Sequence, residues 1–127
     1  MERDAMKVVG IGFRAAADLA SLQDALQQVL DVSDDVRIDA VVTEAAKARE
    51  AVFREFAQVL GVPGLGVTVE DLGQMITPTQ SERIQDRFGT GSLAEAAALA
   101  AAGPQARLVA PRVVSRDGMA TAALAES

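Results

Sequence analysis

Met6-Lys7-Val8-Val9-Gly10-Ile11-Gly12-Phe13 is a short apolar run, and Leu19, Leu22, Leu26, Val29 and Leu30 follow it at helical spacing. An apolar run too short for a globular helix and rich in valine reads as a buried strand. The leucine and valine stripe, with Gln23, Asp24, Gln27 and Gln28 on the wet side, reads as an amphipathic helix. Working outward, the alternation continues. The acidic segment Asp31–Asp35 is a predicted loop and Ile38–Thr43 a second strand. Ala45, Ala48, Val52, Phe56 and Val59 form the inner stripe of a second helix, which Gly61 stops with Pro63 just beyond. Leu65–Val69 is a third short strand and Glu70–Met75 a helical turn. Thr77–Glu82 is a loop entering a helix around Arg83–Phe88. Gly89-Thr90-Gly91 interrupts the chain, and Ser92 opens an alanine-rich helix that Gly103-Pro104 closes. Arg107–Ser115 and Met119–Leu124 remain, joined through Asp117-Gly118, a dipeptide favoured in tight hairpins. The expected fold is one α/β domain over residues 1–127. It is a three-layer α/β/α arrangement with a mainly parallel sheet and a C-terminal antiparallel hairpin. Leu93–Ala102 has almost no polar face, so it is expected to pack closely on the sheet.

Composition narrows the function. A chain of 127 residues that is 50% apolar can bury an unaided core. It has no His, Cys, Trp or Tyr, which removes disulfides, Cys/His zinc sites and the Ser-His-Asp and Cys-His catalytic arrangements. Phe13, Phe53, Phe56 and Phe88 are too few and too scattered for a nucleic-acid stacking platform. The net charge of -6 opposes general attraction to phosphate backbones or anionic lipid, while leaving room for a local basic pocket. Neither nucleic acid nor membrane is therefore an expected partner. The charged start, Met1–Asp4, does not read as a signal peptide, and Ala96–Gly103 is far shorter than the ~20 residues of a bilayer helix. The expected location is the cytoplasm.

In open parallel sheets, ligands bind outside the carboxyl ends of the strands, near free helix N-termini. Four segments are expected at that edge: Gly10–Arg14, Thr43–Lys47, Thr77–Glu82 and Gly89–Ser92. Rich in Gly, Ser and Thr and carrying Arg14 and Lys47, they suit an anionic, oxygen-rich ligand. Simpler structural explanations exist for each. Gly10-x-Gly12-x-x-Ala15 formally fits a loose dinucleotide fingerprint, but Glu44 falls too late for the ribose-binding acid, which favours tight-turn glycines. Ser92-x-x-Glu95 and Thr79-x-x-Glu82 both read as capping boxes, and Thr77-Pro78 as a cap followed by proline. Lys47 and Glu50 share a face with Arg54 and Gln58, as an exposed ion pair would. No motif calls for a cofactor, and no metal site is expected.

Taken together, the segments resemble the cobalamin-biosynthesis family of CobE and the C-terminal domain of CbiG, nearly end to end. The residues that carry the resemblance are Val8-Val9-Gly10-x-Gly12-x-Arg14, Thr43-x-x-x-Lys47-x-x-Glu50 and Thr77-Pro78-Thr79-x-Ser81-Glu82. Gly89-x-Gly91-Ser92-x-Ala94-Glu95-Ala96-Ala97-Ala98-Leu99 is the most specific piece, followed by Leu108-Val109-x-Pro111. Phe13 stands where the family commonly has cysteine, Ala15 where a second basic residue often follows Arg14, and Arg112 where lysine is usual. With no domain ahead of it, the chain is expected to be a free-standing member rather than part of a fused CbiG.

The resemblance implies a role in making the corrin ring by the oxygen-dependent route, with a precorrin or corrinoid intermediate as ligand and other pathway enzymes as candidate partners. Full-length CbiG-type proteins open a lactone on a cobalt-precorrin and release acetaldehyde, a reaction not assigned to this domain alone. The expected ligand-binding set is Gly12, Arg14, Thr43, Lys47, Glu50, Thr77, Ser81, Gly91, Ser92, Glu95 and Arg112. Arg14, Lys47 and Arg112 would meet the acetate and propionate carboxylates of such a ring. Three roles follow: a binding or carrier module, an enzyme of the ring periphery with Glu50 or Glu95 as general base, and a structural partner of another pathway enzyme.

Overall fold

The computed structural model describes residues 6–34, 37–88 and 90–127, with the main chain only at Asp86. In chain order the elements are β1 (Lys7–Phe13), α1 (Leu19–Ser33), β2 (Ala40–Glu44), a 3-10 turn (Lys47–Arg49), α2 (Ala51–Leu60), β3 (Gly64–Val67), α3 (Val69–Gly73), α4 (Glu82–Phe88), α5 (Leu93–Ala102), β4 (Arg107–Val114) and β5 (Ala120–Glu126). Predicted Asp35 and Gly89 fall outside the described residues. The strands form one sheet in the order β3-β2-β1-β5-β4.

The sheet is mixed, where the alternation of strands and helices predicted a mainly parallel one. β1 pairs with β2, and β2 with β3, in parallel, whereas β5 runs antiparallel to both its neighbours. A hairpin has no crossover helix, so its second strand must reverse direction. That second strand does not extend the edge. It enters the middle of the sheet and pairs with β1 along its whole length, from Lys7 opposite Glu126 to Phe13 opposite Ala120.

Helices flank the sheet. α1 and α2 pack on Val9, Ile11, Val41, Ala122 and Leu124, while α5 packs on Val8, Val42 and Ala125. The alanine-rich helix is the closest neighbour of the strands, as its lack of a polar face predicts. Gly10 makes this possible: a Cβ there would collide with the carbonyl oxygen of Ala94 and lie 2.8 Å from the amide nitrogen of Ala98. Gly10 and Gly12 thus lie within β1 rather than in a tight turn, and their smallness serves helix–strand contact.

Several predicted boundaries shift, Val69 for instance opening α3 rather than closing β3. Asp31–Ser33 belong to α1, which ends at Asp34 in the left-handed region (φ 58°). The second helix is interrupted, because Glu50 is extended between the 3-10 turn and α2. The apolar phase restarts there, so Phe53, Phe56 and Ala57 are buried and the predicted inner residue Val59 is exposed. The stripe beginning at Ala45 could not hold across that break.

Candidate functional site

A cleft of about 240 Å³ lies at the carboxyl ends of β1 and β4 and the start of β5. Arg14, Lys47, Arg83, Arg87 and Arg112 line it, and among the described residues no carboxylate does. Ile84, Phe88, Leu93 and Met119 supply an apolar wall, and Ser81 and Thr121 supply hydroxyls. In a chain of net charge -6, this is a local reversal of sign.

Each cation is placed by a local cause. Arg14 follows β1, and its amide donates to the Met119 carbonyl (2.9 Å), fixing the chain as it leaves the strand. The Glu44 carboxylate at the end of β2 accepts from the amides of Ala46 (2.8 Å) and Lys47 (3.3 Å), shaping the 3-10 turn. Lys47 is folded inward from that turn. Its Nζ donates to the Phe13 carbonyl (2.7 Å) and sits 4.4 Å from the centre of the Phe13 ring, which stacks on Phe53. The predicted exposed pair with Glu50 is therefore replaced: Lys47 is only 7% exposed, Glu50 points to solvent, and among the described residues they form no salt bridge. Burial holds the Lys47 amine below the usual lysine range. Arg87 and Arg83 push the same way, against Glu50 and Glu44.

Arg83 and Arg87 are one turn apart on α4, so they share a face. The α4 end of the cleft is pinned. The Ser81 amide donates to the Gly91 carbonyl (2.8 Å), and a Cβ at Gly91 would lie 2.6 Å from the Thr79 carbonyl oxygen. Arg112 is presented by an irregular stretch of β4. The register against β5 shifts between Leu108 and Ala110 and again between Ala110 and Val113, as β-bulges do. Freed from the ladder, the Arg112 amide donates to Glu95 Oε2 (2.8 Å).

Glu95 is the knot of this region. It is 0% exposed, and its carboxylate also accepts from the Thr79 amide (2.9 Å) and the Thr79 hydroxyl (2.8 Å). A buried carboxylate is tolerable only with such donors. The Ser92 hydroxyl accepts from the Glu95 amide (3.2 Å), which is one half of the predicted capping box. The other half is not made, since the Glu95 side chain joins the Thr77–Glu82 loop to β4 instead. For the same reason Thr79 does not cap α4. The Ser81 hydroxyl takes that position, with the Ile84 amide 3.5 Å away. Thr77 is not a helix cap either: its hydroxyl donates to the Thr79 carbonyl (3.0 Å).

Of the residues expected to bind ligand, Gly12, Arg14, Lys47, Ser81 and Arg112 line one cleft. Thr43, Glu50, Thr77, Gly91, Ser92 and Glu95 do not line it. Thr43 is buried and its hydroxyl has no partner among the described residues, as is the case for Thr90. Arg83 and Arg87 were not on the expected list. Their four-residue spacing, directly after the Thr77–Glu82 segment, was the signal that could have found them.

Residues 7–125 match the family described as Cobalamin synthesis G C-terminus. No curated protein matches the chain. Among solved structures, the chain is similar to CobE, a protein from the cobalamin (vitamin B12) biosynthetic pathway, at 25% identity and a TM-score of 0.90, covering 100% of this chain and 94% of that one. It is 37% identical to the cobalamin biosynthesis protein chiG from Agrobacterium tumefaciens, with a TM-score of 0.73 over 94% of this chain and 97% of that one. A putative cobalamin biosynthesis protein G homolog from Sulfolobus solfataricus shares the fold at 22% identity and a TM-score of 0.71. There the match covers 98% of this chain and 37% of the longer one.

Proposed function

Because the chain belongs to the family of the cobalamin synthesis G C-terminus, and so to cobalamin biosynthesis, we propose that its cationic cleft binds a corrin-ring intermediate for carriage between enzymes of the cytoplasmic pathway. The observation that carries this reading is the convergence of Arg14, Lys47, Arg83, Arg87 and Arg112 on one cleft. Corrinoid precursors bear acetate and propionate arms around an apolar ring system. Guanidinium groups meet carboxylates through paired, charge-assisted hydrogen bonds, and the wall from Ile84 to Met119 offers apolar contact. The same lining favours binding over acid–base chemistry at the ring. Glu50 lies outside the cleft in solvent, and Glu95 is committed to three donors.

Titration with hydrogenobyrinic acid, a metal-free corrinoid, tests the proposal. The unmodified protein is expected to bind it, and Arg83→Ala with Arg87→Ala to weaken binding about tenfold or more, since hydrogen bonds to charged groups contribute about 1.5–3 kcal/mol each. Arg54→Ala, on the exposed side of α2, is the control and should change nothing. No binding by the unmodified protein, or equal binding by the double variant, overturns it.

A further inference from the structure

We infer that the cleft grips one edge of the corrinoid macrocycle and leaves the opposite edge in solvent, open to the protein that next takes it up. This rests on the reading above and adds how the ligand is held. The cleft is too small to enclose the ring. At about 240 Å³ it is small for an enclosed ligand. Sites that enclose even drug-sized molecules run from about 300 to 1,000 Å³. A macrocycle of four five-membered rings with carboxylate arms is several times larger than the space available.

Its walls, moreover, are tied rather than hinged. The Glu95 carboxylate joins the loop before α4 to β4 through Thr79 and Arg112, and Ser81 is bonded to Gly91. Opening the cleft to admit a whole ring would break hydrogen bonds to a fully buried carboxylate. Charge is distributed in the same sense. A larger groove of about 880 Å³ lies between α3 and the C-terminal end of α5, but among the described residues Asp71 is its only charged lining residue. The space with room for a ring therefore lacks the cations, and the cations surround a space that admits only part of one. Exposed Arg14, Arg83 and Arg87 at the mouth can take arms from one edge, while buried Lys47 meets what enters deepest.

The test is acrylamide quenching of hydrogenobyrinic acid fluorescence in its complex with the full chain, which has no Trp or Tyr to interfere. Complex formation is established first by co-elution on gel filtration. An edge-held ligand keeps more than about half of the quenching constant of the free ligand. A ligand enclosed as in sites that bury about 70–90% of its surface falls below that, and such a result overturns the inference while leaving binding intact. Failure to co-elute removes both this inference and the binding reading.

Discussion

The two faces of the sheet are packed with different materials. Under α1 and α2 the contacts are made by large side chains, with Phe53 and Phe56 of α2 and Leu22, Leu26 and Val29 of α1 set against Val9 and Ile11. Under α5 they are made largely by Ala94, Ala96, Ala97 and Ala98, and the helix backbone rests on Gly10. The first face uses apolar area for stability. The second uses closeness for position: it brings the start of α5, and with it Ser92 and Glu95, next to the strand ends where the cleft forms. A face built of large side chains can absorb a change by repacking, whereas backbone against backbone cannot.

Substitutions on each face probe that contrast. Gly10→Ala should be the most damaging, because its Cβ meets the Ala94 carbonyl oxygen and no side chain can move aside. It is expected to lose about 4 kcal/mol or more in urea denaturation, beyond ordinary overpacking. Phe56→Ala, its counterpart on the other face, should lose about 3–5 kcal/mol through lost burial and cavity formation. A Gly10→Ala protein within 1 kcal/mol of the unmodified chain would remove the distinction between the faces. Next comes Glu95→Gln, which presents an amide donor where the Thr79 and Arg112 groups also donate. About 2–3 kcal/mol of stability should go, with a parallel loss of corrinoid affinity as two walls of the cleft lose their tie.

The smallest effect is the pH response of Lys47. Its amine in the free protein lies below the ordinary lysine value of 10.5, chiefly through burial. An anionic ligand favours the charged form and raises that value again. Affinity is therefore full below the free-protein pKa and declines as pH rises through it toward the pKa in the complex. The sign reverses for the stability of the free protein. Between the lowered folded value and 10.5 the unfolded chain holds the extra proton, so stability gains from this group as pH rises. Calorimetric titration with hydrogenobyrinic acid should show a severalfold loss of affinity across that alkaline window, and Lys47→Met should flatten it. An unchanged profile in Lys47→Met would exclude Lys47 from the contact.

Local signals explain how much of this could be read from the chain. Gly61 and Ser92 mark helix ends by their own chemistry, and Asp117-Gly118 marks a hairpin, so these elements were legible without tertiary information. What escaped depends on distant partners. Gly10 and Gly12 look like turn residues until α5, about eighty residues later, is seen to land on β1. The direction of β5 was implicit in the hairpin, but its insertion beside β1 was not. Glu95 satisfied a local capping pattern and so concealed its longer reach to Thr79 and Arg112. Lys47 looked like a surface cation because the break at Glu50 that turns it inward has no local marker.

In the proposed function the cleft recognises the carboxylates of a corrinoid. The most direct measurement of this compares the affinity of the unmodified protein for hydrogenobyrinic acid and for its fully methyl-esterified form. The ester keeps the ring and loses the charges. The account predicts that esterification weakens binding at least a hundredfold, as the loss of about two charge-assisted contacts requires. Equal affinity for acid and ester would contradict it.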